Sequence, residues 1–264
     1  MQDLLVTLIQ SDIYWHKVDA NLAAFEEKIW SAEKSDLIIL PEMFNTGFSV
    51  EAKPLAERIN GKTFKWLRQM AEQSGATITG SFLVIEGTQY FNRLFCMDPD
   101  GDYSFYDKRH LFRMTYEDRF FTPGKQSIVH QVKGWKINPL ICYDLRFPVW
   151  SRNTYDQDKD TFLYDLLIYV ANWPAARVGA WDVLLKARSI ENMCYTIGLN
   201  RIGVDGAGIE YNGHSNVIDS KGTAYENLRE DGFIKRYVLS AEDLLAYRKK
   251  FPSHMDFDSF EIKV

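Results

Sequence analysis

Three polar residues of different chemistry stand at the ends of short apolar runs: Glu42 in DLIILPE, Lys108 in YSFYDK and Cys142 in INPLICYDLR. In open α/β sheets, ligand clefts form beyond the ends of strands, so a carboxylate, an ammonium and a thiol at three such ends are a usable chemical set. A thiolate can attack a carbonyl carbon, a carboxylate can take the thiol proton and return it to a leaving amine, and a fixed cation can stabilise the oxyanion. That combination equips a protein for acyl transfer. Taken singly, each residue has a plainer role. A Cys ending a buried strand is usually a small core residue, Glu42 can cap a turn, and Lys108 can be surface charge beside Arg109. The surroundings of Cys142 sharpen the chemical reading. A strand enters it, and Asp144, Arg146 and Pro148 follow in a pattern that opens a helix. The expectation is a thiol at a helix N-terminus, where the dipole and a free backbone N–H favour both thiolate and oxyanion.

These groups need a scaffold, and the hydrophobic pattern supplies one. Apolar runs rich in β-branched and aromatic residues predict strands over 4–9, 37–40, 76–84, 91–97, 103–106, 137–142, 162–171, 194–199, 215–218 and 233–239. Val18, Leu22, Phe25 and Ile29 recur at helical spacing, and further helices are predicted over 63–73, 178–193 and from Ser240. Ser240 with Asp243 three residues on resembles a capping box. Strand, helix and strand follow one another near the N-terminus and again over 162–199, which favours parallel pairing under covering helices. The middle, 76–132, reads as consecutive antiparallel strands, so the whole reads as an α/β layered sandwich. No linker, repeat or low-complexity tract divides the 264 residues, which we treat as one domain. The stretch 251–264, FPSHMDFDSFEIKV, is apolar for a chain end and is expected to pack on the body or on a second subunit.

The segments LPEMFNTGF, YDKRHLF and ICYDLRFP resemble, in order and separation, the three sequence blocks of the nitrilase, or carbon-nitrogen hydrolase, superfamily. The resemblance covers most of the chain. It implies a four-layer αββα sandwich, no cofactor, no metal, and hydrolysis of a non-peptide carbon-nitrogen bond through a thioester. Carried over by position, it makes Cys142 the nucleophile, Glu42 the general base and then acid, and Lys108 the oxyanion stabiliser. It makes the backbone N–H of Tyr143 a second oxyanion donor. Glu117, six residues before Pro123, matches the additional glutamate of the family, and Trp173 in VANWPAAR stands where the family lines its pocket. Cys142-Tyr143-Asp144 resembles the amidase branches rather than the Cys-Trp-Glu of true nitrilases. Together with NWPAAR, GHSNVID and FPSHMDFDSF it looks most like the bacterial omega-amidases, which act on 2-oxoglutaramate and 2-oxosuccinamate. An α-keto carboxylate needs a cationic or N–H-rich pocket end, and Arg113, Arg146 and Arg177 are the candidates. Arg146 has a second option, a structural pairing with Asp144. The resemblance also implies a homodimer paired through helical faces.

Other classes compete with this reading. Another amidase or a carbamoylase of the same superfamily is the nearest. A metal-dependent phosphodiesterase would use Glu42 as a ligand and draw on His214, Ser215 and Asn216, yet the five histidines have no metal-ligand spacing. An inactive scaffold would have no use for a full set of reactive groups. With 31 basic against 36 acidic residues, a net charge of -5 is the wrong sign for coating nucleic acid or anionic membranes, so a small-molecule amide is the expected partner. No apolar stretch approaches membrane-helix length, residues 1–15 lack a secretory leader pattern, and three scattered cysteines read as free thiols; a cytoplasmic location is expected.

Overall fold

The computed structural model describes residues 1–225, 228–229 and 232–263. In chain order the N-terminal elements are β1 (Leu4–Gln10), α1 (Val18–Ser31), β2 (Leu37–Ile39), α2 (Ala52–Leu55), α3 (Lys62–Ser74), β3 (Thr77–Glu86), β4 (Gln89–Met97) and β5 (Tyr103–Asp107). Then come α4 (Glu117–Phe120), β6 (His130–Val132), β7 (Trp135–Ile141), β8 (Tyr155–Asp156), β9 (Thr161–Phe162) and β10 (Leu166–Ala171). The remainder is α5 (Val178–Asn192), β11 (Tyr195–Asn200), β12 (Ile202–Val204), β13 (Glu210–Ile218), β14 (Leu228–Arg229), β15 (Phe233–Leu239) and α6 (Ala241–Lys250).

Two mixed sheets stack face to face. The first has the order β15-β1-β2-β3-β4-β5, and the second β12-β13-β11-β10-β7-β6, with β14 against β13. In each, three central strands are parallel, β1-β2-β3 and β7-β10-β11, and the flanking strands run antiparallel. Alternation along β1 and β2 explains the stacking. Leu4, Val6, Leu8, Leu37 and Ile39 face the second sheet, while Ile9 and Ile38 face the helices. Strands buried on both faces read as nearly continuous apolar runs, which is why they were visible in the sequence.

Helix α1 buries Leu22, Phe25 and Ile29, and with α3 it covers the outer face of the first sheet. Gly75, at φ +66°, closes α3 as a left-handed C-cap. Helix α5 covers the second sheet through Trp181 and Leu185. It lies so close to β11 that a Cβ on Gly198 would sit 2.4 Å from Leu185 and 2.7 Å from Trp181. The expected cap on α6 is present, with the Asp243 backbone N–H donating to Ser240 Oγ at 3.1 Å. The layers are therefore helix, sheet, sheet, helix, an αββα sandwich.

One local expectation is corrected. The run predicted over 162–171 is broken, and β10 starts only at Leu166. Asp165 interrupts it by accepting the Lys136 backbone N–H at 3.1 Å and ion-pairing with Arg248 at 2.6 Å, and Phe162 belongs instead to the small β8–β9 hairpin. The C-terminal stretch divides in two. His254 is buried against Tyr155 and Phe162, and Phe257 packs on Phe162, whereas Phe260 and Ile262 are exposed. Among the described residues no helix is long and apolar enough to cross a membrane.

Candidate active site

Each reactive group leaves the end of a strand. Lys108 directly follows β5, Cys142 directly follows β7, and Glu42 comes three residues after β2. Because β2 and β5 belong to the first sheet and β7 to the second, stacking the sheets is what brings the three together. All are buried, with Glu42 fully so.

Lys108 Nζ donates to Glu42 Oε1 at 2.9 Å and to both Glu117 oxygens at 3.0 and 3.1 Å. Glu117 also accepts the Phe112 backbone N–H. An ammonium between two buried carboxylates has a clear electrostatic consequence. Burial works to lower the Lys108 pKa, but Glu117 first and then Glu42 reverse this and hold it above the ordinary lysine value. Burial raises the Glu117 carboxyl, and Lys108 opposes it only in part. Burial, followed by the Glu42 charge, pushes the Cys142 thiol well above its usual range against the pull of Lys108. The surroundings of the thiol thus raise its pKa, the opposite of the lowering that a helix N-terminus would favour.

The reason lies in the backbone after Cys142. Residues Cys142–Arg146 form only a single 3-10 stretch, because Phe147 precedes Pro148 and leaves the helical region at φ −117°, ψ 86°. So short a turn has little dipole to offer. Cys142 itself sits at φ +45°, a left-handed conformation that non-glycine residues adopt at a cost, and so the thiol is carried on a strained elbow. Asp144 anchors this elbow. Its Oδ1 accepts the His110 backbone N–H at 3.0 Å and meets His110 Nδ1 at 2.8 Å, and its Oδ2 accepts from Tyr106 Oη and the Ile141 backbone N–H at 2.8 and 3.0 Å. Asp144 is thereby filled without Arg146, whose guanidinium lies instead over the Trp173 ring, 4.9 Å from its centroid.

Cys142, Lys108 and Tyr143 border a cavity of about 400 Å³ with largely aromatic and aliphatic walls, Trp173 among them. Arg146 and Arg177 both line it, and among the described residues neither has an ion-pair partner. The Arg177 guanidinium stands 5.7 Å from the Phe112 ring centroid. Arg113 is not brought in. Its side chain is 81% exposed and pairs with Asp118 at 2.8 Å, so it leaves the set of pocket cations. His214 pairs with Asp182 at 3.0 Å and does not join Glu42.

Two residues that the sequence did not single out complete the arrangement. Asn172, directly after β10, donates its backbone N–H to Glu42 Oε2 at 2.8 Å and its Nδ2 to the Glu42 carbonyl at 2.6 Å. Its own carbonyl accepts from Cys142 Sγ at 3.8 Å. Asn92 on β4 donates to Glu42 Oε1 at 2.8 Å. The strand-end rule that found Cys142 also points to Asn172, but a neutral amide beside a tryptophan carries no charge to draw the eye.

This geometry has relatives. The carbon-nitrogen hydrolase family matches residues 5–231. The chain is similar to omega-amidase YafV of Yersinia enterocolitica, 43% identical over 98% of this chain and 99% of that one. It is also similar to omega-amidase YafV of Escherichia coli, 41% identical over 99% of this chain and all of that one. A solved structure from Xanthomonas campestris, a CN-hydrolase superfamily protein with an arsenic adduct in its active site, superposes with a TM-score of 0.97 at 43% identity over the whole of both chains. A match across most of the sequence, carried on the same layered fold, makes this chain a member of the carbon-nitrogen hydrolase family.

Proposed function

We propose that the chain is an omega-amidase that releases ammonia from the terminal amide of an α-keto acid, with 2-oxoglutaramate and 2-oxosuccinamate as the substrate class. The observation that carries this reading is one cavity bordered by the Cys142 thiol, by Lys108 with Glu42 hydrogen-bonded behind it, and by two arginines without ion-pair partners among the described residues. A substrate that carries both an amide and a carboxylate matches those two kinds of group. The names of the relatives support the same class.

In this reading Cys142 Sγ attacks the amide carbonyl carbon while its proton passes to Glu42. The oxyanion is met by Lys108 Nζ and the Tyr143 backbone N–H. The C–N bond then breaks, Glu42 gives the proton to the departing nitrogen, and ammonia leaves behind a thioester. Glu42 next takes a proton from water as that water attacks the thioester, which frees the acid and returns the thiol. Glu117 keeps Lys108 charged and aimed. Arg146, held on Trp173, and Arg177 receive the substrate carboxylate; a buried carboxylate without such partners would be costly. The three cysteines are free thiols, which supports a reducing, cytoplasmic setting. Exposed Val183 and Ile190 on α5 and Leu245 on α6 support a homodimer, and light scattering giving a monomer mass at micromolar concentration would remove that part of the proposal.

The test is ammonia release from 2-oxoglutaramate, run beside simple aliphatic amides, a carbamoyl amino acid and a nitrile, with Cys142→Ala as control. Preference for the keto-acid amide, lost in the control, is the expected result. Preference for another amide or a carbamoyl compound would overturn the substrate assignment.

A further inference from the structure

Trp15 contributes one stretch of the cavity wall. Trp15 lies between β1 and α1, and its indole borders the same cavity as Cys142. Segments from elsewhere in the chain make room for it. A Cβ on Gly206, between β12 and β13, would lie 2.3 Å from Trp15 Nε1 and 2.4 Å from Cδ1. A Cβ on Gly47, after β2, would lie 3.1 Å from Trp15 Cε3, and that residue also holds φ +76°. From its own segment, the His16 ring stacks on the indole with centroids 4.3 Å apart and planes 19° from parallel. His16 is placed there by a left-handed turn at φ 54° and a backbone N–H to the Thr46 carbonyl at 2.9 Å. Two glycines thus leave the volume this indole fills, and a stacked ring holds its face. A side chain so confined is a fixed boundary rather than a mobile one.

We infer that Trp15, fixed by Gly206, Gly47 and His16, is the wall that sets how long an acyl chain the cavity accepts. The inference rests on the amidase reading above and adds to it the residue that selects chain length. An apolar wall discriminates modestly, on the order of 10- to 200-fold per methylene, and that is the size of effect to look for.

The experiment measures kcat and KM for ω-monoamides of four-, five- and six-carbon 2-oxo acids, and in parallel for neutral aliphatic amides of rising length. The proteins are the wild type, Trp15→Ala, Trp15→Phe and Gly206→Ala. Trp15→Ala should raise kcat/KM for the longest amide relative to the best wild-type substrate by about 10-fold or more, mainly through KM. Trp15→Phe should fall between, and Gly206→Ala, which keeps the indole but forces it to shift, should change the length profile too. A uniform fall at every chain length in Trp15→Ala, or an unchanged profile in Trp15→Phe and Gly206→Ala, would overturn the inference. The neutral series separates the two ideas. If wild type showed no preference for the keto-acid amides, the substrate assignment would fail, while the neutral amides would still report whether Trp15 limits length.

Discussion

Two polar clusters, one buried and one partly buried, cross from the first sheet to the second, and they look alike on paper. In one, Glu42 and Lys108 meet Cys142 and Asn172. In the other, Ser104 on β5 meets His130 Nδ1 at 2.9 Å, and His130 Nε2 meets Asp98 Oδ1 at 3.1 Å, with Thr77 Oγ1 donating to that same oxygen at 2.6 Å. The second cluster has the residue types of a serine hydrolase triad, although serine and aspartate have exchanged ring nitrogens. None of its members borders the cavity at Cys142. Its groups satisfy one another, so it fastens β6 to the β4–β5 edge. The first cluster keeps a strained thiol and an ammonium turned toward open volume. Hydrogen-bond geometry alone does not make a site; access for a carbonyl and a donor waiting for its oxyanion do.

The contrast can be broken most forcefully at Cys142. Cys142→Ala should lower amide turnover on the order of a million-fold while the protein still melts cooperatively, and near-normal ammonia release would remove the nucleophile from the first cluster. Next comes Lys108→Ala. Loss of one oxyanion donor lowers kcat roughly 100- to 1000-fold, and two carboxylates left buried without their cation should also destabilise the fold by about 3–5 kcal/mol, read from denaturant unfolding. A kcat loss below tenfold would place the oxyanion elsewhere. The smallest effect is expected in the second cluster. Burial tends to raise the Asp98 carboxyl, but the bonds from His130 and Thr77 outweigh it and hold the pKa below the usual aspartate value. A depressed carboxylate contributes stability above its unfolded pKa of about 4 and loses it as pH falls through the folded value. Asp98→Asn should therefore flatten the acid limb of Tm against pH below about pH 4 and leave turnover unchanged. A large drop in turnover would mean that the two clusters are coupled.

The same contrast explains what the sequence made readable. Glu42, Lys108 and Cys142 stood out because each is a reactive group at the end of a strand, announced for Glu42 and Cys142 by a buried apolar run and for Lys108 by the aromatic alternation of the edge strand β5. Asn92 and Asn172 did not, since an amide inside or after a strand has no pattern of its own, and the bonds to Glu42 span 50 and 130 residues. Of three candidate arginines, only the fold separated Arg113, drawn outward by Asp118, from Arg146 and Arg177. The short strands β6 and β12, three residues each, are too brief to show alternation. The expected helix after Cys142 failed for a local reason visible in hindsight, the proline at Pro148.

The left-handed backbone at Cys142 has a consequence for any search for hardier variants. Glycine adopts that conformation freely, so Cys142→Gly should relieve about 1 kcal/mol of backbone strain that Cys142→Ala retains. Thermal selection alone, applied without an activity screen, would favour discarding the proposed nucleophile, and on that proposal improved robustness at this one position would be a sign of a dead enzyme.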